Sequence, residues 1–150
     1  MIKIEQANAD HLENLVPLFD AYRVWYRQPS DLSTAKQYLK DRIAQKESII
    51  YLAFDGDQAV GFTQLYPLFS STRMKRLWLL NDLYVDETYR GKGISKQLIN
   101  AAKDLARHTD AAGVLLETEQ SNIIGNRLYP AMDFELEENN FYFWTKTAIR

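Results

Sequence analysis

What this sequence lacks narrows its chemistry before any motif is read. It has no cysteine, which excludes disulfides, a thiol nucleophile and any cysteine-ligated zinc or iron–sulfur centre, and which fits a reducing compartment. Its two histidines, His11 and His108, fall at a helix start and a helix end, where surface roles are expected. No His/Asp/Glu spacing suggests a metal site. No apolar run reaches the length of a membrane span, and the opening MIKIEQANAD has no apolar core of a signal peptide, so a soluble cytoplasmic protein is expected. Nor is there a surplus of positive charge. The formal charge is −2, which argues against a nucleic-acid surface built on bulk charge. Without repeats, low-complexity segments or a Pro/Gly/Ser-rich linker, residues 1–150 read as one domain.

What is present is an ordinary globular composition, 46% apolar and 25% charged. A chain of 150 residues buries about two-thirds of its unfolded surface without a covalent staple. IKIEQA alternates and predicts a first strand. Asp10 looks like a cap, and Leu12, Leu15, Val16, Phe19, Tyr22 and Tyr26 fall at helical spacing up to about Tyr26. Pro29 ends that helix. Ser30 or Asp31 can cap a second, through about Gln45. SIIYLAF and AVGFTQLYPLF, joined by DGDQ, predict a hairpin. LWLLNDLYV predicts a fourth strand buried on both faces. ISKQLINAAKDLARHT follows as an amphipathic helix with Ile94, Leu98, Ala101, Ala102 and Leu105 inward. VLLET predicts a fifth strand, NIIGNRLYPAM a short helix, and FELEE with FYFWTKT a closing hairpin. The order β-α-α-β-β-β-α-β-α-β-β defines a mixed α/β domain with one strand–helix–strand crossover from Leu77 to Thr118.

Only six glycines are available, and YRGKGIS spends two of them, Gly91 and Gly93, between the fourth strand and the next helix. The first N–H groups of a helix lack intrahelical partners, and with the helix dipole they attract anions. Glycine lets a ligand approach where a side chain would block it, and Arg90 and Lys92 add positive charge. The segment is built like a phosphate or pyrophosphate cradle, although two glycines alone fit a simple connecting turn about equally well. It matches neither the nucleoside-triphosphate loop nor the dinucleotide fingerprint.

With its surroundings, NDLYVDETYRGKGISKQLINAA and ETEQSNIIGNRLYPAMDFE, the segment resembles the GNAT superfamily of N-acetyltransferases. The family pattern Gln/Arg-x-x-Gly-x-Gly/Ala is represented by Arg90, Gly91, Lys92, Gly93, Ile94 and Ser95, with serine at the last position. A second family element, Asn-x-x-Ala-x-x-Leu-Tyr-x-x-x-Gly-Phe, is represented by Asn122, Gly125, Leu128, Tyr129, Asp133 and Phe134. Gly125 stands for the alanine and Asp133 for the glycine, and aspartate tolerates left-handed geometry better than most residues. The resemblance covers nearly the whole chain. It implies a central, mostly antiparallel twisted sheet of about seven strands flanked by about four helices, with acetyl-CoA as co-substrate and no metal. It also implies that Leu83, Tyr84 and Val85 run beside the pantetheine arm next to a bulge, that the Arg90–Ser95 loop holds the pyrophosphate, and that Asn122 contacts the coenzyme, a residue equally placed to cap the last helix.

Acetyl transfer needs a neutral amine, a polarised carbonyl and a protonated leaving thiolate. By resemblance Tyr129, a phenol with a pKa of about 10 in water, is the proton donor. The proton acceptor is open: Asn81 is an amide where many relatives carry an acid, leaving Asp82, Glu117, Glu119 or a water chain. For the acceptor site the aromatic end of the first helix is the candidate. Tyr22 and Tyr26 would wall an alkyl chain or a cation, whereas Arg23 or Arg27 would bind a carboxylate. The expected reaction is direct attack by a primary amine of a small molecule or amino-acid-like acceptor. Peptide or protein amines are the alternative, and a non-catalytic acyl-CoA sensor is a third reading, motivated by Asn81 and the two altered motif positions. RMKR (73–76) and ELEE (135–138) read as solvated segments, and FYFWTKT as a strand suited to homodimer pairing.

Overall fold

The structure is a computed structural model and describes residues 1–147. It divides into two compact units, Met1–Glu117 and the segment from Thr118 onward. The first carries five strands in sequential order: β1 Ile2–Gln6, β2 Ile49–Asp55, β3 Gln58–Ser70, β4 Lys75–Val85 and β5 Gly113–Leu115. β1 to β4 pair antiparallel, and β5 joins β4 in parallel. A parallel neighbour needs a long crossover, and helix α3, Ile94–His108, supplies it. Helices α1, Leu12–Trp25, and α2, Leu32–Ala44, lie between β1 and β2 in the chain.

The two faces of the sheet carry different clusters. Leu15, Phe19, Leu39, Ile50, Leu52 and Phe62 pack together under α1 and α2. Ile94 and Leu98 of α3 pack against Ala53, Val60 and Val85. The buried stripe of α3 is Ile94, Leu98, Ile99, Ala102, Leu105 and Ala106, close to the set that the 3.6-residue period predicts. The end of α3 is pinned to the sheet: Trp78 Nε1 donates to Thr109 Oγ1 at 2.9 Å, and Thr109 Oγ1 donates to the Leu105 carbonyl at 2.7 Å. Where β3, β4 and α3 meet, the chain has Gly61. A Cβ there would stand 3.0 Å from the Tyr84 carbonyl oxygen and 3.5 Å from Leu98 Cδ1, so the close approach of the three elements depends on a missing side chain.

Several expectations are corrected. Asn8, not Asp10, caps the start of the first helical segment: its side chain accepts the Asp10 N–H, and its own N–H donates to His11 Nδ1 at 3.0 Å. Asp31 caps α2 through the Thr34 N–H, while Ser30 donates to Asp20 Oδ2 at 2.7 Å. Asp20, buried in α1, also accepts the Asp31 N–H at 2.8 Å, so one carboxylate fastens the loop between the two helices. The fifth strand ends at Leu115, short of the expected VLLET. Residues 134–147 contain no strand, so among the described residues the sheet has five strands rather than about seven. Glutamate and asparagine dominate residues 135–140 and favour strands poorly, and an isolated two-stranded ribbon is marginal in water. Phe141, Tyr142, Phe143 and Trp144 are exposed.

The second unit is organised by α4, Ile123–Ala131. Among the described residues no helix is long and apolar enough to cross a membrane, and no group of three or more His, Cys, Asp or Glu side chains could hold a metal ion.

Candidate active site

The first unit's site begins with an irregularity in β4. Gln64 of β3 pairs with Asp82, but Leu65 pairs with Leu80. Asn81 is therefore an extra residue, a bulge that bends the strand and raises its twist. At the same place β4 loses its other neighbour, because the pairing with β5 stops at Leu79–Leu115. Leu83, Tyr84 and Val85 thus continue past β5 with no strand on that side among the described residues. The Asp86 N–H donates to the Val60 carbonyl at 2.8 Å. Counting back in twos, the backbone groups of Tyr84 and Asp82 face β3, and those of Leu83 and Val85 face the open side. This is the splay that the resemblance implies, and it exposes a row of edge hydrogen-bonding groups.

The glycine segment starts where that edge ends. Asp86 accepts from the Thr88 hydroxyl at 2.7 Å and its N–H at 2.9 Å, and these bonds hold the carboxyl below the ordinary carboxylate range. The turn they fix leads into Gly91 and Gly93, both with φ +78°. In that region an L side chain costs roughly 1–2 kcal/mol. A Cβ on either glycine would meet nothing within 4 Å, so the turn is open as well as left-handed. No side chain caps α3, and Gln97 is the residue whose N–H reaches back to the Gly93 carbonyl, at 3.2 Å. The N–H groups of Ile94, Ser95 and Lys96 precede that first helical bond, as at any helix start. The left-handed glycine turn into α3 that the sequence suggests is present. Arg90 has a more particular place than expected. Its Nε donates to the Val85 carbonyl at 3.0 Å, and its guanidinium lies over the rings of Trp25, at 4.5 Å, and Tyr84, at 5.4 Å. Lys92 lies over the Tyr89 ring at 4.9 Å.

On the α1 side of the bulge stands a buried acid. Asp82 is 3% exposed. Its Oδ2 accepts Gln64 Nε2 at 2.6 Å and its Oδ1 accepts Asn81 Nδ2 at 3.0 Å. Burial pushes the Asp82 carboxyl above its ordinary value, while the Gln64, Asn81 and Tyr22 side chains pull the other way. Gln64 is fully buried, and its Oε1 has no hydrogen-bond partner among the described residues. Its amide is spent on Asp82 at the cost of an unsatisfied oxygen. Gln64 is a site residue that sequence reasoning missed. The signal was available, an amide in the middle of the apolar run AVGFTQLY.

Of the acceptor candidates, Tyr22 and Tyr26 are brought together, with ring centroids 5.0 Å apart. Tyr22 also lies against Phe62 at 5.8 Å, and its hydroxyl donates to the Asn81 carbonyl at 3.2 Å. Arg23 is occupied locally: its Nη1 donates to the Pro29 carbonyl at 3.2 Å. Glu117 is exposed and lies two residues beyond β5.

In the second unit Asn122 caps α4. Its Oδ1 accepts the Gly125 N–H at 3.0 Å, and its Nδ2 donates to Thr118 Oγ1 at 2.9 Å. A Cβ at Gly125 would stand 2.6 Å from Asn122 Nδ2 and 3.2 Å from Tyr129 Cε2, which accounts for glycine where the family pattern has alanine. Asp133 has φ +67°, as its place at a family glycine predicts. Its N–H donates to the Pro130 carbonyl and that of Phe134 to the Tyr129 carbonyl, and the Tyr129 and Phe134 rings meet edge-on at 5.9 Å. This is a Schellman closure with its accompanying apolar contact.

A splayed strand, an uncapped helix start reached through open glycines and a buried acid at the bulge together define a candidate acyl-transfer site. Residues 13–134 match the model of the acetyltransferase (GNAT) family. The chain is 42% identical over 140 residues to an uncharacterized N-acetyltransferase, YhfO, of Bacillus subtilis, covering 93% of each. It is 33% identical over 121 residues to a probable acetyltransferase of Haemophilus influenzae, covering 80% of this chain and 83% of that one. The crystal structure of a probable acetyltransferase superposes with a TM-score of 0.91 at 37% identity, over 97% of this chain and 99% of the other. The chain belongs to the GNAT family and is an acyltransferase.

Proposed function

We propose that this chain transfers the acetyl group of acetyl-CoA to a primary amine of a small molecule, by direct attack of the amine. The family match spans residues 13–134, across both compact units, and supports reading residues 1–150 as one acetyltransferase domain. One observation carries the proposal: two glycines at φ +78° with open space where their side chains would be, at the uncapped start of α3 and beside the open edge of β4. A diphosphate fits such a place, because the free amides and helix dipole favour an anion and nothing blocks its approach.

In this reading the backbone of Gly91, Lys92, Gly93, Ile94 and Ser95 holds the pyrophosphate, with Arg90 and Lys92 as the cations of the loop. The outward amides of Leu83 and Val85 bind the pantetheine arm and polarise the acetyl carbonyl. Acetyl-CoA supplies the activated acyl group. Asp82 accepts the proton of the amine, and Tyr129 gives one to the sulfur. Tyr22 and Tyr26 form the wall for the acceptor's carbon chain.

Calorimetric titration with acetyl-CoA and with free CoA tests the cradle. The native chain should bind both saturably. Gly93→Trp should bind neither while keeping a cooperative thermal transition. If a folded native chain takes up neither ligand, the acetyl-CoA reading is wrong.

A further inference from the structure

We infer that Arg90 and Trp25 form a clasp that fixes the end of α1 against the open edge of β4, and that Trp25 is thereby a positioning residue for the acceptor amine. The positioning role rests on the proposed acetyl transfer, with Tyr22 and Tyr26 as the acceptor wall. Arg90 touches three parts of the chain at once. It belongs to the glycine segment, its Nε donates to the Val85 carbonyl at 3.0 Å, and its guanidinium lies 4.5 Å from the ring centroid of Trp25 and 5.4 Å from that of Tyr84. The Val85 carbonyl is an outward group at the open side of β4. The bond therefore satisfies an edge acceptor that no strand covers among the described residues. Tyr84 packs with the cluster under α1 and α2, so the guanidinium lies on the same side of the sheet as Trp25.

Burial does not hold Trp25 in place. It is the last residue of α1 and is 58% exposed, so the contact with a cation is what fixes the indole. The bonds that close this end of α1 are local. The Arg27 and Gln28 N–H groups return to the Val24 and Arg23 carbonyls, Arg23 Nη1 reaches the Pro29 carbonyl, and Asp20 accepts from Ser30 and the Asp31 N–H. Two side chains tie the last turn to other elements. Tyr22 does so through the Asn81 carbonyl and the Phe62 ring, and Trp25 through Arg90. Three residues apart on one helix, the two are neighbours on its surface, and Tyr26 stands against the Tyr22 ring. A wall tied at one point can pivot about it. A second tie fixes its angle to the loop proposed to carry the cofactor. The residue type agrees: a guanidinium donates in its plane and offers its face to a ring. Glutamine, which the family pattern also allows at position 90, has the donor without the cation.

The test compares the native chain with Trp25→Ala, Trp25→Phe, Arg90→Gln and the double variant Trp25→Ala/Arg90→Gln. In thermal denaturation Trp25→Ala and Arg90→Gln should each lower the midpoint by about 2–4 °C. The double variant should fall no further than the worse of the two, because both remove one contact. Kinetics are followed by thiol release at saturating acetyl-CoA, with tyramine and agmatine as acceptors. Each single variant should raise the KM for the amine about fivefold, again without adding in the double. Trp25→Phe keeps a ring for the cation and should stay within about twofold of native. By calorimetry Trp25→Ala should keep the native Kd for acetyl-CoA, whereas Arg90→Gln also removes a loop cation and should weaken it. Additive midpoint losses overturn the clasp. Coupled midpoints with a native amine KM in Trp25→Ala make the contact merely structural and overturn the positioning role. A weakened Kd for acetyl-CoA in Trp25→Ala with a native amine KM also overturns it, placing Trp25 with the cofactor instead. No turnover of either amine by a chain that binds acetyl-CoA overturns the transfer reading, and the positioning role with it. The midpoint cycle judges the clasp in every case, so the two failures are told apart.

Discussion

Gly91 and Gly93 differ from Gly61 in what a missing side chain is for. In the loop a Cβ would meet nothing within 4 Å, and both residues sit at φ +78°. At Gly61 a Cβ would stand 3.0 Å from a backbone oxygen of the neighbouring strand. One region leaves room that the protein itself does not fill; the other uses every ångström for its own packing. Space without an internal occupant, at a helix start whose first amides precede any helical bond, is what a binding loop would need and a tight turn would not. The count of glycines does not make that distinction.

The comparison breaks most visibly at Gly61. Gly61→Val forces the β3–β4–α3 crossing apart and should cost about 3 kcal/mol, lowering the thermal midpoint by about 6–12 °C. Gly91→Ala has no such clash and should lose only the backbone term of about 1 kcal/mol. Equal losses at the two sites in thermal denaturation would show that the loop is packed after all.

Asp82 extends the contrast from volume to charge. Its carboxyl is raised in the folded chain, chiefly by burial, so the folded state binds its proton more tightly than the unfolded state does. Below the unfolded value, near 3.9, both states are protonated and the group contributes nothing. As pH rises from there through the folded value, the folded state must carry a buried charge and stability falls. The difference in unfolding free energy between Asp82→Asn and the native chain should therefore move in favour of the variant as pH rises across that interval, and then level off. Denaturant titrations at a series of pH values measure it, and a difference independent of pH would contradict the assigned direction.

The sequence carried the loop better than the pocket. Strand alternation and helix period placed β1 to β4 and α1 to α3 within a few residues, since those patterns follow from which face is buried. The glycine turn was legible because glycine, charge and element boundary coincide between Arg90 and Ser95. The bulge at Asn81 was expected from resemblance alone, because an extra residue in one strand is defined only against its partner. Gln64 escaped for the same reason: whether a strand amide faces solvent or a buried acid depends on register. Arg90 looked like a free cation, yet its partners Trp25 and Val85 come from a helix 65 residues away and a strand end. The closing hairpin failed because aromatic richness in FYFWTKT signals strand propensity without naming a partner strand.

In the second unit the sharpest contrast is with Gly125, which is closed like Gly61. Gly125→Ala should push the Asn122 side chain off the start of α4 and cost about 1 kcal/mol, the worth of a cap. Asn122→Ala should cost about the same, and the double variant little more than either, because both remove one interaction. Additive losses in a thermal double-mutant cycle would mean that the alanine is accommodated without moving the cap.

Asp133 is the converse of Gly91 and Gly93, a left-handed residue that keeps its side chain. At φ +67° it closes α4 with the Asp133 and Phe134 N–H groups bonded to the Pro130 and Tyr129 carbonyls. Glycine adopts this conformation without the Cβ penalty but has more freedom to lose on folding. The two effects partly offset, so Asp133→Gly should raise stability by about 0.5 kcal/mol, whereas the β-branched Asp133→Val should lower it by about 1–2 kcal/mol. A thermal midpoint that rises for glycine and falls for valine would identify backbone geometry as the constraint. Equal losses in both would point instead to the carboxylate itself, and would explain why an aspartate stands where the family pattern has glycine.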